Sequence, residues 1–227
     1  MRVIHVNTER GWRGGEQQLM RLLRALRDTD AAMELTLVAQ SGGALAERAR
    51  AEGMDVVELA MAHSGDVGAT WRLRTLIRAR RPDVLHLHTG HAHSIGARAA
   101  RWSGAARPRV LLHRHVGYSA DRHAWPFNLH RVKFTWGVDR VICVADAVRA
   151  RTAATGTPPA HLAVVPNAID PEPPPPDEGA QRALAGRTGA KDGAQLVGAV
   201  GALTPEKGHA DLLEAFALLD PARRGVH

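Results

Sequence analysis

Short apolar runs alternate along the chain with longer stretches in which apolar residues recur every three or four positions. RVIHV (2–6), LTLVAQ (35–40), DVVEL (55–59), DVLHLH (83–88), RVLLHR (109–114), DRVICVA (139–145) and LAVVP (162–166) have the length and Val/Leu/Ile content of strands. Between them, 15–28 carries Leu19, Leu22, Leu23 and Leu26 at helical spacing, and 68–80 carries Trp71, Leu73, Leu76 and Ile77. Further helices are predicted over 44–53, closed by Gly53 as C-cap, over about 92–102, within 127–136, and from Asp146, a good N-cap, to Thr155. Strands this continuously apolar are buried on both faces, and helices between them make the connections parallel. The predicted fold is therefore α/β, a Rossmann-like doubly wound parallel sheet. In such sheets ligands bind at the carboxyl ends of the strands, so the loops that follow the strands are where chemistry is sought.

PNAIDPEPPPPDEG (166–179) breaks the alternation. Its prolines fit neither a central strand nor a helix interior, and Pro173 to Pro176 should be extended and stiff, as in a hinge. Beyond it, 181–186 reads as a short helix and QLVGAVG (195–201) as a strand. Lys207 to Leu219 reads as a helix with Leu212, Leu213, Phe216 and Leu219 on one face. One strand and one helix do not enclose a core.

Composition narrows the class. Of 227 residues, 44% are hydrophobic and 23% charged, as in a globular protein. No apolar run reaches the roughly 18 residues that span a bilayer, and MRVIHV reads as a first strand, not a signal peptide. The single cysteine, Cys143, excludes an intrachain disulfide and lies in an apolar run, as a buried, inert thiol would. These features fit a cytoplasmic protein. The net charge of +7 is concentrated: residues 98–151 hold eleven Arg or Lys against three acids, and six of the nine aromatics. A basic aromatic segment suits an anionic membrane surface or a phosphorylated ligand; a solvated Arg-rich face whose aromatics pack inward fits as well. No nucleic-acid motif accompanies it.

Four stretches carry candidate chemistry. NTERGWRGGEQQ (7–18) leaves a strand and enters a helix through Gly14 and Gly15, where free N–H groups attract phosphate and a backbone without side chains allows close approach. A plain strand-to-helix turn explains it equally. It is neither GxGxxG nor GxxxxGK[ST]. Glu16 is either a first-turn acid complementing the helix dipole or a polar group reaching into the cleft. HLHTGHAH (86–93) places His86 and His88 on one face of a strand end, followed by His91 and His93. This density suits a cleft lining or a buried hydrogen-bonded set. A metal would need three or four ligands converging, and no HExxH or CxxC supports one. LLHRHV (111–116) brings His113 and His115 to another strand end, placed to orient or deprotonate a substrate hydroxyl, or to be satisfied by backbone groups. In GALTPEKGH (201–209), Lys207 sits at a helix start, where dipole and ammonium together suit an anion; an ordinary surface lysine is the alternative.

Taken in order, these pieces resemble glycosyltransferase family 4, retaining enzymes of the GT-B fold. The loop RGGEQQ, the strand DVLHLHTGHAH and the histidine-bearing LLHRH come first. DRVICVADAVRARTAATGTPPAHLAVVPNAID then resembles the family's passage into its hinge, and VGALTPEKGHADLLEAFALL resembles the start of its donor-binding domain. The chain departs from the family pattern at Ala202, where the family has Arg, at Ala145 and Asp146 for its Ser-Glu, and at Ala168 for Gly. The resemblance implies an acceptor-binding domain over 1–166, a hinge over 167–194 and the start of a nucleotide-sugar-binding domain over 195–227. That second domain would be truncated, and its later E-x7-E motif absent.

The implied activity is transfer of a sugar from a nucleotide sugar to a glycan or lipid-linked acceptor, in cell-envelope polysaccharide or lipopolysaccharide synthesis. No metal or other cofactor is required. By correspondence His115 would stand near the reacting sugar with Glu16, while Gly14, Gly15 and Lys207 would face the diphosphate. His86, His88, His91 and His113 would line the substrate cleft. The protein would work in the cytoplasm, with 98–136 holding it at the inner membrane face, and the chain would be inactive alone if its donor half is cut. Two other readings stay open: a non-catalytic module that binds a glycan, a lipid or a partner, and a zinc hydrolase built on the histidines.

Overall fold

The computed structural model describes residues 1–115, 136–169, 175, 177–189 and 196–218. They divide into two compact units, Met1–Ile169 and Asp170–His227.

The seven strands expected within residues 1–166 all form, and they make one sheet. They are β1 (Arg2–Asn7), β2 (Glu34–Gln40), β3 (Asp55–Leu59), β4 (Val84–Leu87), β5 (Arg109–Arg114), β6 (Arg140–Cys143) and β7 (Leu162–Val164). Their order across the sheet is β3-β2-β1-β4-β5-β6-β7, and every pairing is parallel. The order reverses direction between β1 and β4, so the topological switch point lies there, with His5 and His86 as register partners.

The helices are α1 (Gly14–Thr29), α2 (Ala44–Ala51), α3 (Val67–Arg80), α4 (Gly90–Arg101) and α5 (Asp146–Ala154). Leu19, Met20 and Leu23 of α1 pack with Leu37 of β2 and Leu45, Ala46 and Ala49 of α2. A separate cluster joins Ile4, Val6, Leu85 and Leu87 of the sheet to Leu73, Ile77 and Ile95 of α3 and α4. The strands are thus covered on both sides, as their unbroken apolar character required. On α4, Gly96 lets the helix lie close to β4: a Cβ there would fall 2.3 Å from a Leu87 methyl carbon. The caps of α3 and α4 follow from sequence: Asp66 accepts from the Ala69 N–H at 2.8 Å and Thr89 from the Ala92 N–H at 3.1 Å.

Several expectations need correction. Trp71 does not join the buried face of α3; it is half exposed and tilts against Trp102 at 6.1 Å, because Ala69, Thr70, Leu73 and Ile77 already fill the inward stripe. Asp146 is the first residue of α5 and not its cap; Ala145 holds the cap position, and the carboxylate pairs with Arg149 at 3.0 Å. Helix α2 ends at Ala51, and Gly53 turns the chain just past it at φ 74°. The helix expected within 127–136 lies almost wholly outside the described residues.

In the second unit, α6 (Glu178–Thr188) is capped by Asp177 and ended by Gly189 at φ 67°. Residues 196–201 form no strand, since no neighbouring strand among the described residues offers them a ladder. Lys207 is not in the final helix either. It lies in a 3-10 turn, Pro205–Lys207, separated by Gly208 at φ 64° from α7 (His209–Leu218). Leu213 and Leu218 of α7 are exposed.

Candidate functional site

Five histidines meet at the switch point. His5 comes from β1, His86 and His88 from β4 and the residue after it, and His113 and His115 from β5 and its end. Their rings form a continuous row: His5–His86 at 5.2 Å between centroids, His86–His88 at 4.1 Å, His88–His113 at 5.6 Å and His113–His115 at 4.6 Å. In-register parallel strands force this, because residues two apart on a strand share a face and partners on neighbouring strands stand side by side. His5 Nδ1 and His88 Nε2 are hydrogen-bonded at 3.1 Å.

His5, His86 and His88 are buried, His113 and His115 partly so, and the row is uncharged at neutral pH. Burial, and then the proximity of His113, push His5 from 6.5 down to about 3. Burial, and then the other imidazoles, hold His86 and His88 well below their ordinary value. Burial, and then His115, bring His113 to about 4. Burial lowers His115 too, but the Glu16 carboxylate pulls the other way. Neutral imidazoles carry a lone pair on one nitrogen, so the row offers acceptors and bases, not a cationic patch. Among the described residues, Nε2 of His5, Nε2 of His86 and both nitrogens of His113 are buried with no hydrogen-bond partner.

Glu16 is the link between this row and the glycine-bearing loop. Its side chain is buried at 4% exposure and accepts from the Arg13 N–H at 2.9 Å and from Asn7 Nδ2 at 3.2 Å. Glu16 thus sits in the first turn of α1 and borders the larger hollow. Asn7 Oδ1 in turn accepts from the Glu9 N–H, and the Thr8 and Thr89 hydroxyls are bonded at 2.6 Å, which ties the loop after β1 to the loop after β4.

Two hollows open at this edge. One of about 160 Å³ lies between α1 and the row, with His88, His113 and His115 on one wall and Gln18 and Leu22 on the other. Segment 165–168 closes it, held by Gln18 Nε2 donating to the Ala168 carbonyl at 2.8 Å. The larger hollow, about 500 Å³, is lined by Thr8, Arg10, Arg13, Glu16, Gln40 and His91, among others. The expected cleft residues thus separate. His91 belongs to the larger hollow, while His86 is a buried member of the row that lines neither hollow. Gly14 and Gly15 start α1, and open space lies where a Cβ of either would project. Lys207 belongs to the second unit and is exposed. Sequence reading missed His5, Asn7, Arg10 and Arg13. A lone histidine inside RVIHV carries no signal until the order of strands is known.

The chain matches the sequence model of Glycosyltransferase Family 4 over residues 12–173. No curated protein matches it. Similar solved structures include Anabaena HepE in complex with UDP and glucose, 18% identical with a TM-score of 0.75, covering 96% of this chain and 58% of that one. A glycosyltransferase from Rickettsia africae is 14% identical with a TM-score of 0.73, covering 96% and 57%. The lipopolysaccharide outer core galactosyltransferase WaaB in its apo form is 12% identical with a TM-score of 0.59, covering 86% and 51%. At these identities the likeness is one of fold, the Rossmann-like fold of GT-B glycosyltransferases. The chain spans just over half the length of each of these structures.

Proposed function

Since the chain belongs to glycosyltransferase family 4, we propose that it forms the acceptor side of a retaining sugar transfer from a nucleotide sugar to a glycan or lipid-linked acceptor in cell-envelope synthesis. One observation carries this reading: a neutral His115 at the edge of a hollow at the strands' carboxyl ends, under the influence of the buried Glu16 carboxylate. A neutral imidazole accepts a hydrogen bond, or a proton, from a sugar hydroxyl, and a nearby carboxylate stabilises the imidazolium as it forms. His88 and His113 wall the same hollow and orient the hydroxyl by hydrogen bonding. Gly14 and Gly15, with free space at the start of α1, receive the diphosphate on backbone N–H groups. Arg10 and Arg13, on the larger hollow, add the positive charge that a leaving diphosphate calls for. Lys207 is assigned to the diphosphate by its correspondence with the family pattern. Anabaena HepE was solved with UDP and with UDP-glucose, so a UDP-sugar is the first donor to try. The reaction itself needs no metal in this reading. No helix among the described residues is long and apolar enough to cross a membrane.

A second reading is favoured by the second unit, whose described residues form helices and no strand: the chain binds a glycan or lipid without catalysis. Incubation with UDP-sugars and lipid-linked glycans, followed by assay of released UDP and of labelled acceptor, separates the two. Transfer that falls at least about tenfold in His115→Ala and in Glu16→Gln supports the transferase. Acceptor binding with no UDP released supports the module. Transfer untouched by either substitution overturns the site.

A further inference from the structure

We propose that His88, His113 and His115 form a binding site for a single late transition-metal ion of the zinc type, open on one side to the hollow beneath α1. One nitrogen from each of these rings lies within 4.8 Å of the others. Three imidazole nitrogens at about 2.0–2.1 Å from a tetrahedral ion stand roughly 3.4 Å apart, so small rotations of the side chains bring them onto it.

Three further observations point the same way. Both nitrogens of His113 are buried without a hydrogen-bond partner, an arrangement that a protein interior rarely leaves unfilled. His5 is hydrogen-bonded to His88 at 3.1 Å, the kind of outer contact that fixes the ring of a metal-bound histidine. The hollow provides a way in and leaves a fourth position for water, as in three-histidine zinc sites.

An all-imidazole set suits zinc, copper, nickel or cobalt and not magnesium or calcium, which take oxygen ligands. His5, His86 and His88 make a second convergent trio. All three are fully buried and none but His88 borders the hollow, so the outer trio is the one an ion reaches.

The site uses the same three rings that the transfer reading assigns to the substrate hydroxyl, but it does not rest on that reading. A bound ion engages His115, so metal occupancy and sugar transfer would exclude each other. Binding is also measured without any nucleotide sugar, so failure of one idea leaves the other in place. The test uses the whole chain without a histidine tag, stripped with chelator and titrated with cobalt(II). The expected result is one cobalt per chain, intense visible bands of a tetrahedral ion, displacement by zinc and a rise in Tm with zinc. His115→Gln at a half-exposed strand end should fold, as circular dichroism will show, and weaken cobalt binding at least tenfold. His86→Gln should bind as wild type. Absence of the bands, sub-stoichiometric binding, or loss of binding in His86→Gln with none in His115→Gln each overturns the proposal.

Discussion

His5 Nδ1 lies 3.1 Å from His88 Nε2, although 83 positions separate the two residues in the chain. The contact exists because β1 and β4 are neighbours at the switch point, in a register that pairs His5 with His86. It makes one unit of rings that come from separate strands.

That unit sets the protein's response to acid. His5 titrates near 3 and His113 near 4 in the folded chain, against 6.5 for an ordinary histidine, and His86 and His88 also lie well below it. Above pH 6.5 neither state takes up these protons. Between 6.5 and about 3 the unfolded chain binds them and the folded chain does not, so stability falls as pH drops. Urea unfolding of chelator-treated protein at pH 8, 6, 5 and 4 should show a steady loss of midpoint below 6.5. A flat profile from 6.5 to 4 contradicts a buried neutral row.

Glu16 acts on His115 by charge, and substitution isolates that action. Glu16→Gln keeps a side-chain oxygen to accept from the Arg13 N–H but removes the carboxylate that raises the His115 pKa. The His115 titration, followed by NMR of the imidazole carbons, should move to lower pH in the variant, while the fold persists. An unchanged His115 titration would mean that the two groups do not sense each other.

Gly96 tests the packing that holds β4 and its histidines in place. A Cβ at this position meets a Leu87 methyl carbon at 2.3 Å, and Leu87 is fully buried. Gly96→Val should destabilise by about 1–3 kcal/mol, overcoming the gain from replacing a helical glycine. Leu87→Ala alone should cost about 2–5 kcal/mol by leaving a cavity. Combined, the two should cost clearly less than their sum, since valine fills the space that leucine vacates. Strict additivity in chemical denaturation would show that the helix approaches β4 differently.

The sheet was legible because its central strands are buried on both faces: a run such as DRVICVA has no alternation to mislead, and Pro82 and Gly53 mark the breaks between elements. The site was legible only in pieces. His86, His88, His113 and His115 stand out as pairs on strand ends, but their convergence depends on β4 and β5 being adjacent, and His5 depends on β1 lying on the other side of β4. Strand order is a property of the whole chain and leaves no local trace. Trp71 misled for the opposite reason: helical spacing says which residues share a face, not how wide the buried stripe is, and Ala69, Thr70, Leu73 and Ile77 had already filled it. At 196–201 the pattern of a strand is present, but a strand is stable only beside another, and the described residues supply none.

The basic aromatic segment gives the last prediction. Arg122, Arg131 and Lys133 lie outside the described residues, but the flanks of the segment are visible. Trp102 and Trp136 are each 41% exposed, and the Arg101 guanidinium lies over the Trp136 ring at 5.1 Å. These tryptophans do not pack inward, which favours the interfacial reading of the segment over the inert one. Each basic side chain near an anionic bilayer contributes about 1 kcal/mol, and the attraction fades within a Debye length. Replacing Arg122, Arg131 and Lys133 together by Glu reverses three charges, so sedimentation with phosphatidylserine-containing vesicles should fall by at least about tenfold. Wild-type binding should itself weaken as salt rises from 0.05 to about 0.5 M and be slight on neutral vesicles. Equal binding of the wild type and the charge-reversed variant to anionic vesicles would leave the segment as a solvated surface and remove the membrane from the account of this protein.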